Sequence, residues 1–130
     1  MTFDVDIDEA FGLLHDLSDL GIGNWREALT PRNVLMLRSL WADLIGEELA
    51  PIEELSDFER VVKCLMEKEA YWSKAMGLAF IEADRLANLG EADKAVALLD
   101  EFLSKCSSPS FREIAQIQKE NYLSRLLPCK

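Results

Sequence analysis

The sequence contains only one histidine, His15, and its three cysteines, Cys64, Cys106 and Cys129, form no CxxC pair. A zinc site needs several closely spaced His or Cys ligands, and a nucleophilic enzyme needs a base beside its nucleophile. His15 has no such companions, so we expect it to be structural. The odd cysteine count also argues against a disulfide framework and suits a reducing compartment. We therefore predict that the chain is not an enzyme and holds no metal and no cofactor.

Phosphate-binding and calcium-binding loops are missing as well. Neither GxGxxG nor GxxxxGK occurs in the chain. Asp4, Asp6 and Asp8 have the spacing of the start of a calcium loop, but Glu9 and His15 stand where that loop needs glycine and glutamate. We interpret the three aspartates as helix-start acids, because the helix dipole favours negative charge there.

Long apolar runs are also absent. No stretch approaches the roughly 20 apolar residues of a membrane span. The chain begins MTFDVDID, with acids where a secretory signal would carry lysine or arginine. We expect a cytoplasmic protein that does not bind membranes.

Positive charge is scarce relative to negative charge. The 130 residues include 24 Asp and Glu against 14 Lys and Arg, for a net charge of -10. Nucleic-acid phosphates would repel such a chain, so we do not expect a nucleic-acid partner. The imbalance is local, since residues 1–60 carry 14 acids and 4 bases whereas residues 61–130 carry 10 of each.

Apolar residues recur at helical spacing almost throughout, and no run requires a strand. With 49% hydrophobic residues, the chain has enough apolar material for one globular core. We predict a single all-α domain over residues 1–130. It has five to six helices in a compact or slightly elongated antiparallel bundle.

Local signals set the helix limits. The first helix covers 7–20, and the second begins at Thr30, which caps it ahead of Pro31. A later helix runs from 91 to 105. Capping boxes at Ser56 and Ser110 start the third and last helices. The apolar face predicted for the last helix consists of Ile114, Ile117 and Leu123.

The stretch 57–89 is too long for a simple helix in a small domain. Unbroken, it would measure about 50 Å, whereas a compact domain of this length is about 36 Å across. We predict a bend or a break near Lys68, with an elongated helical stack as the alternative.

Residues 79–109 combine small and large apolar positions around a glycine turn. Ala83 and Leu86 precede Gly90, and Ala95 and Leu99 follow it. This pattern resembles one tetratricopeptide repeat, although Ala79 occupies the position of the early tryptophan and no second copy follows. The resemblance implies a helical hairpin that packs on the last helix and a surface that binds protein. A generic antiparallel hairpin with a glycine turn explains the pattern equally well.

Two features are candidates for binding. The segment 43–59 joins two helices and carries seven acids and no base. Such a segment would attract a basic protein, and its alternative is a solvated loop. Trp25, in a predicted loop, is either a buried plug or an exposed anchor. The candidate partner-binding residues are Trp25, Asp43, Glu47, Glu48, Glu53, Glu54 and Asp57.

In overall character this small acidic chain resembles the immunity proteins of bacterial toxin systems. The resemblance implies a cytoplasmic protein that neutralises a basic toxin domain by occluding its active site. The alternative is a tetratricopeptide-like adaptor or chaperone that grips a peptide. Its site would lie at Tyr71, Lys74, Leu78 and the last helix.

Overall fold

The computed structural model describes residues 6–126, and these residues form helices and connections without a strand. The five α-helices confirm the predicted all-α fold. Among the described residues, none of the helices combines the length and apolar character that a membrane span requires. The helices are α1 (Ile7–Leu20), α2 (Pro31–Leu44), α3 (Leu55–Asn88), α4 (Ala92–Lys105) and α5 (Pro109–Leu126), with a short 3-10 helix at Arg26–Ala28.

The chain divides into two compact units, Met1–Glu69 and Ala70–Lys130, and the division falls within α3. We call them the N-terminal unit and the C-terminal unit. The single domain expected over 1–130 stays a prediction, because compact units of one chain can belong to one domain.

The N-terminal unit is built from α1, α2 and the first part of α3. Asp6 caps α1 by accepting the backbone N–H of Asp8, and Thr30 caps α2 by accepting that of Asn33. Both predicted helix starts are confirmed. α1 and α2 pack on each other. The buried apolar side chains of this unit are Ala10, Leu14, Leu17, Trp25, Leu37, Leu40, Leu44, Phe58, Val61, Val62 and Leu65.

α3 continues for 34 residues through Lys68, so the predicted break there is wrong, and the bend given as its alternative stays a prediction. The prediction assumed that a single compact domain about 36 Å across would have to contain the whole helix. The structure instead places the two parts of α3 in different units, so neither unit needs to accommodate the full length. The surrounding residues, Glu67 to Ala70, have good helix propensity and give no local reason to stop.

The C-terminal unit is a hairpin with a third helix packed on it. Gly90 takes φ 81° in the turn between α3 and α4, a backbone conformation that glycine adopts without strain. Ala83, Ala95, Leu99 and Tyr122 form a fully buried cluster that joins α3, α4 and α5. The predicted hairpin and its packing on the last helix are therefore present. Its kinship with tetratricopeptide repeats stays a prediction.

α5 differs from its prediction in both start and orientation. It begins at Pro109 with Ser108 as its cap, since Ser108 Oγ accepts the backbone N–H of Phe111 at 3.4 Å. The predicted box at Ser110 therefore lies inside the helix. The predicted inward residues Ile114, Ile117 and Leu123 are exposed, and the buried residues are Phe111, Ala115 and Tyr122.

The observed orientation of α5 is explained by the packing and polar contacts that its buried face makes with α3 and α4. Ala115 is small enough for close helix packing, and the hydroxyl of buried Tyr122 donates to the Asp84 carboxylate of α3 and accepts from Gln118. Lys119 Nζ lies 2.6 Å from Asp100 Oδ1 of α4. An orientation of α5 that buried its most apolar side chains would lose these polar contacts.

Ala95 tests the close packing of this unit. Because Ala95 is fully buried against Ala83, Leu99 and Tyr122, Ala95→Leu should lower the free energy of unfolding by about 1–3 kcal/mol. Ala97→Leu, on the exposed side of the same helix, is the matched control and should change it by less than about 0.5 kcal/mol. Urea unfolding measures both, and equal stabilities would contradict the packing described here.

Candidate partner-binding surface

The connection between α2 and α3, residues 45–54, displays four glutamates. Glu47, Glu48, Glu53 and Glu54 are all exposed. Among residues 6–126, no ion pair involves any of these four side chains. We call these four residues the acidic connection. Their carboxylates are open to solvent and to a cationic partner.

Asp57 holds the end of the acidic connection in place. Its Oδ2 accepts the backbone N–H groups of Glu53 and Glu54, each at 3.1 Å. These hydrogen bonds are the main reason that the pKa of the Asp57 carboxyl lies below its ordinary value, and Arg60 contributes further. Asp57, expected as a partner-binding residue, is therefore first of all the cap of α3.

The predicted capping box at Ser56 is wrong by two residues. α3 begins at Leu55, and Ser56 Oγ approaches only Glu54 Oε2, at 3.5 Å. Asp57 serves as the residue that reaches back from the first turn to the free N–H groups. Both backbone N–H groups that precede α3 therefore bind the Asp57 carboxylate.

Asp43, the remaining acid of the predicted set, lies in the last turn of α2 and is half-buried. The structure thus places Asp43 and Asp57 at the two helix ends that flank the acidic connection. The four glutamates between them are the more accessible groups.

Of the two alternatives for Trp25, a buried plug and an exposed anchor, the structure supports the buried plug, because only 1% of the Trp25 surface is exposed. Its indole Nε1 donates to the backbone carbonyl of Leu17 at 2.6 Å, which ties the connection after α1 to the last turn of that helix. This burial removes Trp25 from the surface, so its expected role as an exposed anchor is corrected to a structural one.

The charge imbalance coincides with the division between the units. Residues 1–69 carry 16 acidic and 6 basic side chains, whereas residues 70–130 carry 8 of each. The whole net charge of -10 therefore belongs to the N-terminal unit. Among the described residues of this unit, Glu9 pairs with Arg32 at 3.1 Å, Asp57 with Arg60 at 3.7 Å and Glu69 with His15 at 3.0 Å.

His15 has a partner that sequence spacing does not reveal. Its Nε2 lies 3.0 Å and 3.2 Å from the two carboxylate oxygens of Glu69, which is 54 residues away in the chain. Cys64 of α3 is exposed, and Cys106 is buried with its Sγ donating to the Ser108 carbonyl oxygen at 3.8 Å. Within the described part of the chain, no group of three or more His, Cys, Asp or Glu side chains is placed to hold a metal ion.

The residues named for the alternative adaptor function also lie at the surface. Tyr71, Lys74 and Leu78 are exposed on α3 within the C-terminal unit. On α5, Ile114 and Ile117 are exposed too. Both isoleucines lie on the last helix, which was expected to form part of the adaptor site.

No protein-family model, no curated protein and no solved structure matches this chain.

Trp25 and Trp41 provide a matched pair of tests for the plug. The indole Nε1 of Trp41 is buried without a hydrogen-bond partner among residues 6–126, in contrast to that of Trp25. Trp25→Phe should therefore cost about 1 kcal/mol more free energy of unfolding than Trp41→Phe, which is the worth of one buried hydrogen bond. Chemical denaturation measures the difference, and equal losses would show that the bond to Leu17 contributes nothing.

Asp57 predicts a pH-dependent contribution to stability. Because the pKa of its carboxyl is lowered on folding from the ordinary 3.8, the contribution is complete above that value. It is lost as the pH falls through the lower pKa of the folded state. At pH 7 we expect the order of stability wild type, Asp57→Asn, Asp57→Ala, because asparagine keeps one acceptor oxygen.

Urea unfolding at pH 7 and again near pH 3 checks this expectation. The gap between wild type and Asp57→Asn should narrow at the lower pH. A gap that is independent of pH would show that the charge of Asp57 plays no part in capping α3.

Proposed function

We propose that this chain is a cytoplasmic binding protein that neutralises a basic toxin domain by covering its active site, in the manner of bacterial immunity proteins. One observation carries the proposal. The entire charge excess belongs to the N-terminal unit, and the acidic connection of that unit exposes four glutamates that form no ion pair with any residue of the described range 6–126. Cys64 and Cys106, the two cysteines of the described range, are not joined in a disulfide, which suits the reducing cytoplasm.

Electrostatics would act first on the rate of encounter. A concentrated negative potential steers a cationic partner and raises the association rate by roughly 10- to 1000-fold at low ionic strength. Salt weakens this effect, because at about 0.1 M ionic strength the interaction between exposed charges is screened beyond about 10 Å. Rim charges of this kind act mainly on association, whereas desolvated pairs and apolar contacts set the lifetime of a complex.

The cap at Asp57 supports a second contribution. Because Asp57 binds the backbone N–H groups of Glu53 and Glu54, that end of the acidic connection is ordered before a partner arrives. Order that exists in the free protein does not have to be created on binding, which favours affinity. The same hydrogen bonds use only the backbone of both glutamates, and their side chains stay exposed to the partner.

Apolar burial at the interface needs a source other than Trp25. The exposed large apolar side chains of the N-terminal unit are Leu20, Ile22 and Leu35. We expect the apolar part of the contact to come from this set.

The alternative function, a peptide-binding adaptor or chaperone, is favoured by the exposure of Tyr71, Lys74 and Leu78 on α3. It differs from the first in the unit that binds. An adaptor uses the C-terminal unit, whereas an inhibitor of a basic domain uses the N-terminal unit.

The test starts with affinity capture from the source cells in low salt, with the full chain as bait. A basic protein should be captured, should stop growth when expressed alone, and should be harmless when this chain is expressed with it. Neutralising the acidic connection by Glu47, Glu48, Glu53 and Glu54→Gln should slow association by about tenfold or more. Stopped-flow or surface-based kinetics at two salt concentrations measure this rate.

The control removes the same number of charges from the C-terminal unit. Asp93→Asn with Glu101, Glu113 and Glu120→Gln should leave the association rate within about twofold of wild type. Equal slowing by both sets would show that only net charge matters. No slowing by the first set would refute a role for the acidic connection, and a captured partner that is not toxic would refute the inhibitor function.

A further inference from the structure

One face of α3 in the C-terminal unit is apolar although it faces solvent. Tyr71, Leu78 and Ile81 are exposed by 61%, 60% and 70% of their surfaces. The opposite face of the same segment supplies the buried residues Trp72 and Ala83. An amphipathic helix of a monomer normally reserves its outer face for polar residues, and exposed apolar stripes mark interaction sites.

The spacing of the exposed face is that of a helix-pairing seam. Tyr71, Leu78 and Arg85 follow each other at intervals of seven residues. At about 100° per residue these three positions lie within about 40° of each other around the helix. Lys74, Ile81 and Glu82 flank them on the same side. We call the segment 71–85 with these six residues the outer face of α3.

We propose that the outer face of α3 binds the outer face of a second copy of this chain, with the two helices antiparallel and Leu78 at the two-fold axis. In that register, a residue a given number of positions before Leu78 lies opposite the residue the same number of positions after it. An isologous interface of this kind makes every contact twice.

Charge complementarity selects this occupant. Lys74 stands four residues before Leu78 and Glu82 stands four residues after it, so each ammonium meets the carboxylate of the other copy. Such pairs flanking an apolar seam set partner choice and orientation in paired helices.

The next pair outward is complementary as well. Tyr71 stands seven residues before Leu78 and Arg85 seven residues after it. The exposed tyrosine ring therefore meets the guanidinium of the second copy, an arrangement that permits a cation–π contact. Ile81 faces Ala75 in the same register, which pairs a large side chain with a small one.

A parallel arrangement fails the same charge test. In register, it would place Lys74 against Lys74 and Arg85 against Arg85, and like charges in close contact are unfavourable. Within one chain, Arg85 already binds the carboxylate of Glu82, with Nε at 2.9 Å from Oε2. In the antiparallel pair, Lys74 of the second copy adds a second cation to this site.

This inference does not depend on the toxin-inhibitor proposal, because the outer face of α3 belongs to the C-terminal unit and the acidic connection to the N-terminal unit. A dimer of this kind would carry two acidic connections.

Sedimentation equilibrium of the full chain tests the proposal, at neutral pH and low salt, over about 1–200 µM. The wild type should form a dimer within this range. Lys74→Glu and Glu82→Lys should each weaken dimerisation by about tenfold or more, because each creates two like-charged contacts. The double variant Lys74→Glu with Glu82→Lys should restore it, because it exchanges the two charges across the axis.

Leu78→Asp should give a monomer, since it sets two carboxylates against each other at the axis. The matched control for Lys74→Glu is Arg38→Glu, which makes the same change from a cation to a carboxylate at an exposed residue of α2 and should dimerise like the wild type. Circular dichroism confirms that each variant keeps its helices.

Three results would overturn the proposal. A wild type that stays monomeric up to about 200 µM would leave the outer face to a peptide or another protein. A dimer insensitive to Lys74, Glu82 and Leu78 substitutions would place the interface elsewhere. Failure of the double variant to recover would contradict the antiparallel register.

Discussion

Mutual repulsion among the carboxylates of the N-terminal unit is the constraint on which the functional account depends. Sixteen acidic side chains share residues 1–69 with six basic ones, and self-repulsion of this kind opposes compaction. Several of these acids offset the repulsion because they cap a helix or pair with a basic side chain. Asp6 and Asp57 accept backbone N–H groups at helix starts, Glu9 pairs with Arg32, and Glu69 binds His15. The glutamates of the acidic connection have no comparable use within the described chain, and a cationic partner would relieve their repulsion.

The two units solve the problem of stability in different ways. The N-terminal unit inserts a large aromatic plug, Trp25, whose indole also satisfies a carbonyl at the end of α1. The C-terminal unit packs small residues, Ala83 and Ala95, around a buried tyrosine whose hydroxyl is bound by Asp84 and Gln118. Burial and the neighbouring carboxylate raise the pKa of the Tyr122 hydroxyl, which therefore stays protonated as a donor at neutral pH. Only the N-terminal unit carries an excess of negative charge that could attract a cationic partner.

Helix periodicity and cap chemistry predict most of the fold because both are local. The limits of α1 and the start of α2 at Thr30 follow from residues within one turn of each helix end. The starts of α3 and α5 were misplaced, since Ser56 and Ser110, the predicted caps, lie inside helices that begin at Leu55 and Pro109. Tertiary contacts decided the rest. The orientation of α5 depends on the hydrogen bond between the Tyr122 hydroxyl and Asp84 of α3. α3 can remain one long helix because its two parts belong to different compact units.

The site was predictable to a similar extent. The acidic connection and its exposure follow from a run of acids between two helices, which is a sequence property. The burial of Trp25 depends on a carbonyl eight residues earlier, and the His15 and Glu69 contact joins residues 54 positions apart. The capping role of Asp57 was missed, because the sequence analysis assigned the cap to Ser56 and expected Asp57 to bind a partner.

Hydrogen–deuterium exchange of this chain with and without its captured basic partner tests the central claim most directly. The account predicts protection on binding in the segment 45–57, with little change across α4 and α5. Protection confined to α3 beyond residue 70, α4 and α5, with 45–57 exchanging as in the free chain, would contradict it.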